Sequence, residues 1–228
     1  MGIGSALRAI AGAVAIGSAL LLTPPVTGAS APASVAATPG ECSPERGGAT
    51  LCLYRSLLPS VGVVASCEGR HCRVGTYYGN PSSDVVWFAP PAGMETLPEP
   101  RVFWLTSTLA QVRFDCGEGC SWSYFFDAIR RRLSEPRRSV LAVDPRRLLV
   151  AMTEDRSLVV RQVFSGREVA RIEREWAPVT WLGDAITALR FDPDGRLSLT
   201  WLRGSERSTV TERISVPSVP ASPGQRAP

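Results

Sequence analysis

The sequence contains no lysine; all 25 basic residues are arginine. This fits the codon bias of a GC-rich genome, and arginine binds carboxylate and phosphate groups bidentately. Histidine occurs once, at His71. A metal site begun by Cys67, His71 and Cys72 therefore lacks a second histidine. A Ser-His-Asp triad would have to use a residue that stands between two cysteines expected to be oxidised. No Gly-x-Ser-x-Gly elbow, His-Glu-x-x-His helix, phosphate-binding glycine loop or dinucleotide fingerprint is present. The sequence thus offers no catalytic, cofactor-binding or metal-binding residue. Paired carboxylates occur at Glu154 with Asp155 and at Asp192 with Asp194, but both pairs fall in expected turns, where such side chains bond the backbone or face water. The net charge of +4 is mild, and nucleic acid is not an expected partner.

Long apolar runs are also scarce. Residues 9–22 follow Arg8 as an apolar stretch too short and too rich in Gly and Ala to span a bilayer. Pro24 and Pro25 end it, and small residues continue to Ala37. Residues 1–31 read as a secretory signal peptide, with cleavage between 29 and 37. The alternative is an uncleaved N-terminal anchor, the one membrane contact the sequence suggests. No cysteine lies at the cleavage region. The expected location is periplasmic or extracellular, and in such an oxidising compartment six cysteines imply three disulfides. Spacing favours neighbours: Cys67 with Cys72 and Cys116 with Cys120 across Gly-bearing turns, leaving Cys42 with Cys52. A bridge from Cys67 to Cys116 or Cys120 would overturn that reading.

Between these ends lies a single mainly β domain, residues 40–216. Its clearest element is Arg190-Phe191-Asp192-Pro193-Asp194-Gly195-Arg196-Leu197, followed by Leu199 and Trp201 at alternate positions. Pro193 presets φ, Gly195 can take φ > 0, and two apolar runs around such a turn make a β-hairpin. Short strand-like runs recur at 61–66, 73–78, 84–88, 102–105, 109–114, 121–126, 140–143, 148–152, 158–164, 168–172 and 208–216. Residues 89–100, rich in Pro and Gly, are the candidate subdomain boundary. Phe125, Ile129 and Leu133 are spaced by four, which fits a two-turn helix or a turn with an edge strand equally well. Residues 217–228 read as a disordered tail.

Three segments overlay. Residues 112–117 resemble 189–194, and Ala142-Val143-Asp144-Pro145-Arg146-Arg147-Leu148 resembles 190–197 with one residue fewer. The intervals between Asp115, Asp144 and Asp192 are unequal. Phe191-Asp192-Pro193-Asp194-Gly195-Arg196-Leu197 resembles the first hairpin turn of a β-propeller blade, and Val163-Phe164-Ser165-Gly166-Arg167-Glu168-Val169 a later one. The resemblance covers residues 140–216 and lacks the Gly-His and Trp-Asp signatures. It implies an all-β fold of antiparallel sheets, a small β-propeller-like or partial propeller, and no specific activity. A β-sandwich is the alternative.

Arg130, Arg131, Arg132, Arg137, Arg138, Arg146 and Arg147 crowd a window opposed only by Glu135 and Asp144. This is the candidate partner-facing patch, set against the simpler reading of solvated charges that guard strand edges. The functional expectation is an exported, disulfide-stapled module that binds a protein or an anionic envelope component. A carboxylate-dependent hydrolase and a secreted enzyme inhibitor are the alternatives.

Overall fold

In the computed structural model, the structure describes residues 36–218 apart from Arg46 and Pro59. The signal-peptide reading therefore lies outside the described residues, as does the tail beyond Ser218.

Among the described residues the strands form four antiparallel sheets, each built from one continuous stretch of chain. The first contains β1 (Glu41–Pro44), β2 (Thr50–Arg55), β3 (Val61–Glu68), β4 (His71–Tyr78) and β5 (Val85–Trp87), in that order. The second contains β6 (Arg101–Trp104), β7 (Leu109–Asp115) and β8 (Ser121–Asp127), with the short β9 (Arg132–Leu133) and β10 (Arg137–Arg138) both paired to β8. The third is β11 (Val140–Asp144), β12 (Leu149–Glu154), β13 (Ser157–Gln162) and β14 (Glu168–Ile172). A short 3-10 turn, Leu182–Ala185, leads into the fourth: β15 (Ile186–Phe191), β16 (Arg196–Arg203) and β17 (Ser208–Ser215). The all-β, antiparallel expectation holds. These pairings close no barrel, and they do not establish the propeller-like resemblance.

Successive sheets pack face to face, and side-chain alternation explains how. On β8, Tyr124 and Phe126 enter a core shared with Val63, Ala65 and Val74 of the first sheet, while Phe125 between them faces the third. On β12, Val150 and Met152 join Phe125, whereas Leu149 and Ala151 meet Leu197, Leu199 and Trp201 of β16. Strands covered on both faces need apolar residues at every position, hence the unbroken runs Leu149-Val150-Ala151-Met152 and Leu158-Val159-Val160, all buried. β16 has one open face and so alternates. The candidate boundary at 89–100 connects β5 to β6, and within it Leu97 is buried in the core shared by the first two sheets.

The three disulfides join Cys42 to Cys52, Cys67 to Cys72 and Cys116 to Cys120. The first two link directly opposed residues of paired strands; the third closes the β7–β8 turn. The sequence separations are 10, 5 and 4, so each bridge removes little unfolded-chain freedom, about 2–3 kcal/mol by loop closure. Replacing Cys116 and Cys120 together by alanine is expected to cost about 2 kcal/mol, read as a lower urea midpoint at unchanged slope. Non-reducing peptide maps should recover the three pairs with no free thiol.

Residues 125–133 form a turn with an edge strand. Phe125 is fully buried and Ile129 is 68% exposed, a pattern that one helix face would not produce. The overlay of 112–117 on the later turns needs correction too. Asp115 ends the second strand of its hairpin set, whereas Asp144 ends the first strand β11 and Asp192 follows the first strand β15, so Asp115 lies at the opposite end of its sheet. The second overlay shifts by one residue: Asp144 pairs with Leu149, and Leu149, not Leu148, shares the core with Leu197.

Candidate docking surface

One end of the molecule collects the turns that follow β2, β4, β6, β8, β11, β13 and β15, together with the exit from β17. Three of these turns begin with a buried aspartate: Asp127, Asp144 and Asp192. Asp127 Oδ1 accepts the backbone N–H groups of Ile129 and Arg130 at 3.1 Å each, and its Oδ2 accepts Arg130 Nη1 at 3.0 Å. Asp144 repeats the arrangement. Its Oδ1 accepts the N–H groups of Arg146 and Arg147 at 3.0 Å, and its Oδ2 accepts Arg147 Nε at 2.6 Å. The residues four after each aspartate, Arg131 and Leu148, both have left-handed backbones, with φ of 49° and 54°. An Asp-x-x-Arg turn thus occurs twice, because one short carboxylate can satisfy two turn amides and the guanidinium that folds back over them.

Asp192 uses other partners. Arg190 Nε donates to its Oδ1 at 3.0 Å, while Ser198 Oγ at 2.6 Å and Arg213 Nε at 3.0 Å donate to its Oδ2. Arg213 Nη2 also reaches Asp194 at 2.9 Å. The Ser198 hydroxyl first, then the two guanidiniums, hold the Asp192 carboxyl below the usual carboxylate range. Glu154 is lowered likewise by its bond to Arg161, with Arg171 adding to the effect. A glycosidase-type general acid needs the opposite shift.

Two open cavities lie between these turns. One of about 660 Å³ separates the Asp144 and Asp192 turns. Its neighbour of about 520 Å³ lies between the Asp127 and Asp144 turns. Arg146 and Arg147 line both. Arg147 is the wedge, its guanidinium 5.6 Å from the Phe191 ring centre. Gly195 is required beside it: φ is +84°, and an added Cβ would come within 3.0 Å of Arg147 Nη1.

The arginine window divides in space. Arg130, Arg146 and Arg147 line one cavity. Arg131 stands over Tyr78 at 4.8 Å and Arg132 over Phe164 at 3.9 Å. Arg137 is largely covered and bonds the Val163 carbonyl, and burial lowers its pKa. Arg138 faces Trp181 at 5.8 Å, toward the opposite end. There Trp181 also covers Gly119 of the Cys116–Cys120 turn. His71 Nδ1 lies 2.8 Å from Thr96 Oγ1, beside a closed disulfide. Asp127 and Arg196 belong to the surface but were not singled out by sequence reading; the shared Asp-x-x-Arg spacing at 127–130 and 144–147 is the signal that marks the first of them.

No protein-family model matches this chain, and no curated protein does. Its functional reading therefore rests on geometry and charge.

These groups also set the pH range of stability. Asp192 and Glu154 have folded pKa values below their unfolded ones, so their contribution is present above the ordinary carboxylate range and is lost as pH falls through the depressed values. Tyr124, pushed up to about 12 by burial, acts at the other limit: its contribution is present below the unfolded value of 10.0 and is lost as pH rises toward 12. Urea midpoints should be level near neutrality and fall on both sides. A Tyr124→Phe variant should lose less stability than the parent between pH 7 and 11.

Proposed function

We propose that this chain is an exported, disulfide-stapled binding module that docks an anionic partner with the end bearing the aspartate-headed turns. The reading rests on how unpaired charge is distributed. At this end Arg131, Arg132, Arg146 and Arg167 have no carboxylate partner among the described residues, where Asp127, Asp144 and Asp192 are already bonded to Arg130, Arg147, Arg190 and Arg213. Asp84 is the exception, bonded to Asn80 and Ser83 within its own turn. At the opposite end Glu68, Glu118, Asp155, Asp184 and Glu206 have no arginine partner among the described residues, and Arg70, Arg138, Arg156 and Arg207 dilute them. A rigid end of one sign favours oriented capture of the other.

The three closed disulfides fit an oxidising, extracytoplasmic location. The hydrolase alternative loses its best candidates for a general acid, since the Ser198 hydroxyl and two guanidiniums hold Asp192 ionised and Arg161 with Arg171 holds Glu154 so. The test compares two triple variants of equal charge change for binding to inorganic polyphosphate. R131Q/R146Q/R167Q is expected to weaken binding at least tenfold, and R70Q/R156Q/R207Q less than threefold. Equal losses would mean that net charge alone, and not this end, governs binding.

A further inference from the structure

We infer that the anionic partner is the surface of a phospholipid bilayer, with Leu57 and Ile129 entering its acyl boundary while the surrounding arginines contact lipid phosphates. The inference rests on the docking reading above and specifies its partner. It also departs from the sequence expectation, which allowed membrane contact only through an uncleaved N-terminal segment.

Leu57 and Ile129 are 82% and 68% exposed, the two highest values among the large hydrophobic residues described. Both belong to the arginine-bearing end. Leu57 lies in the turn after β2 and Ile129 in the turn after β8. The two regions meet where Tyr78 of β4 packs edge-on to Phe126 at 5.7 Å and Arg131 covers Tyr78. The Gly79 N–H, next to Tyr78, bonds the Ser60 carbonyl of the Leu57 turn.

Neither side chain is exposed through a loose backbone. Asp127 holds the Ile129 amide. Ser56 Oγ accepts the Leu58 N–H at 3.0 Å and donates to the Val61 carbonyl at 2.8 Å, which fixes the turn around Leu57. Two aliphatic points are thus presented beside hydrogen-bonded backbone, and Ile129 is followed directly by Arg130, Arg131 and Arg132. A protein interface of ordinary size is built around a contiguous apolar centre with a polar rim. Isolated aliphatic tips among unpaired arginines match a bilayer instead, whose apolar boundary lies just beneath a layer of phosphates. The acidic carboxylates of the opposite end then face away from the anionic surface. Charge complementarity and the apolar tips point the same way.

The test uses co-sedimentation of the full chain with vesicles of phosphatidylcholine, alone or with phosphatidylglycerol, and binding to inorganic polyphosphate in parallel. Comparing variants of one chain keeps the N-terminal apolar run constant. Binding to phosphatidylglycerol vesicles is expected to exceed that to phosphatidylcholine vesicles by at least tenfold and to weaken with salt. Arg146→Gln should weaken it roughly fivefold. Leu57→Ser and Ile129→Ser should each weaken it roughly tenfold while leaving polyphosphate binding and the melting temperature unchanged. Vesicle binding that is indifferent to Leu57→Ser and Ile129→Ser would overturn the inference. So would polyphosphate binding without vesicle binding, although the anion-docking reading would then stand. Failure to bind either probe would overturn both.

Discussion

Replacing Phe125 by alanine is expected to destabilise the chain by about 3–5 kcal/mol. The ring is fully buried among Leu109, Val140, Val150, Met152 and Val163, where the second sheet meets the third. Collapse around the void is restricted because the flanking Tyr124 and Phe126 are held in the core on the other face of β8. The Phe125 backbone is fixed as well, its N–H bonded to Ser134 Oγ at 2.9 Å and its carbonyl accepting the Ser134 N–H at 2.8 Å. Ile129→Ala, four residues on, should change stability by less than about 0.5 kcal/mol, since that side chain faces water. Urea unfolding of the two variants gives a direct contrast. Comparable losses would mean that Phe125 and Ile129 share a buried helix face, contrary to the turn and edge strand described.

Asp144→Ala should cost about 3 kcal/mol. The carboxylate satisfies two backbone amides and one guanidinium, and its removal leaves Arg147 only 27% exposed at the side chain with no counter-charge. Arg147 Nη2 is already buried without a hydrogen-bond partner among the described residues, so little remains to compensate. Asp127→Ala breaks the same pattern of bonds, but Arg130 is 55% exposed and can turn to water, so a loss of about 2 kcal/mol is expected. The double variant Asp144→Ala with Arg147→Met should lose less than the sum of its singles by about 1–2 kcal/mol. Exact additivity in a double-mutant cycle would show that the pair does not interact. The same measurement bears on the docking surface, because Arg147 separates its two cavities.

The cysteine pairings and the hairpins were legible in the sequence because each depends on local signals. Cysteines a few residues apart around a glycine have little choice of partner, and Asp-Pro-Asp-Gly between alternating runs commits the chain to a turn. The run 148–152 announced a strand, but its burial on both faces came from the sheets stacked on either side of it. The register of the repeat was not legible, since Asp115 and Asp127 both end a strand beside an apolar run and only strand pairing tells which end of the sheet each occupies. Nor was the division of the arginine window, because seven neighbours in sequence are sent by turns and strand edges to a shared cavity, to two aromatic faces, to a covered crevice and to the far end. Ile129 shows the difference most plainly. Its spacing from Phe125 and Leu133 fits a helix as well as a strand, and only the stacking of sheets on both faces of β8, with the Asp127 carboxylate turning the chain outward, decides that Phe125 is core and Ile129 surface.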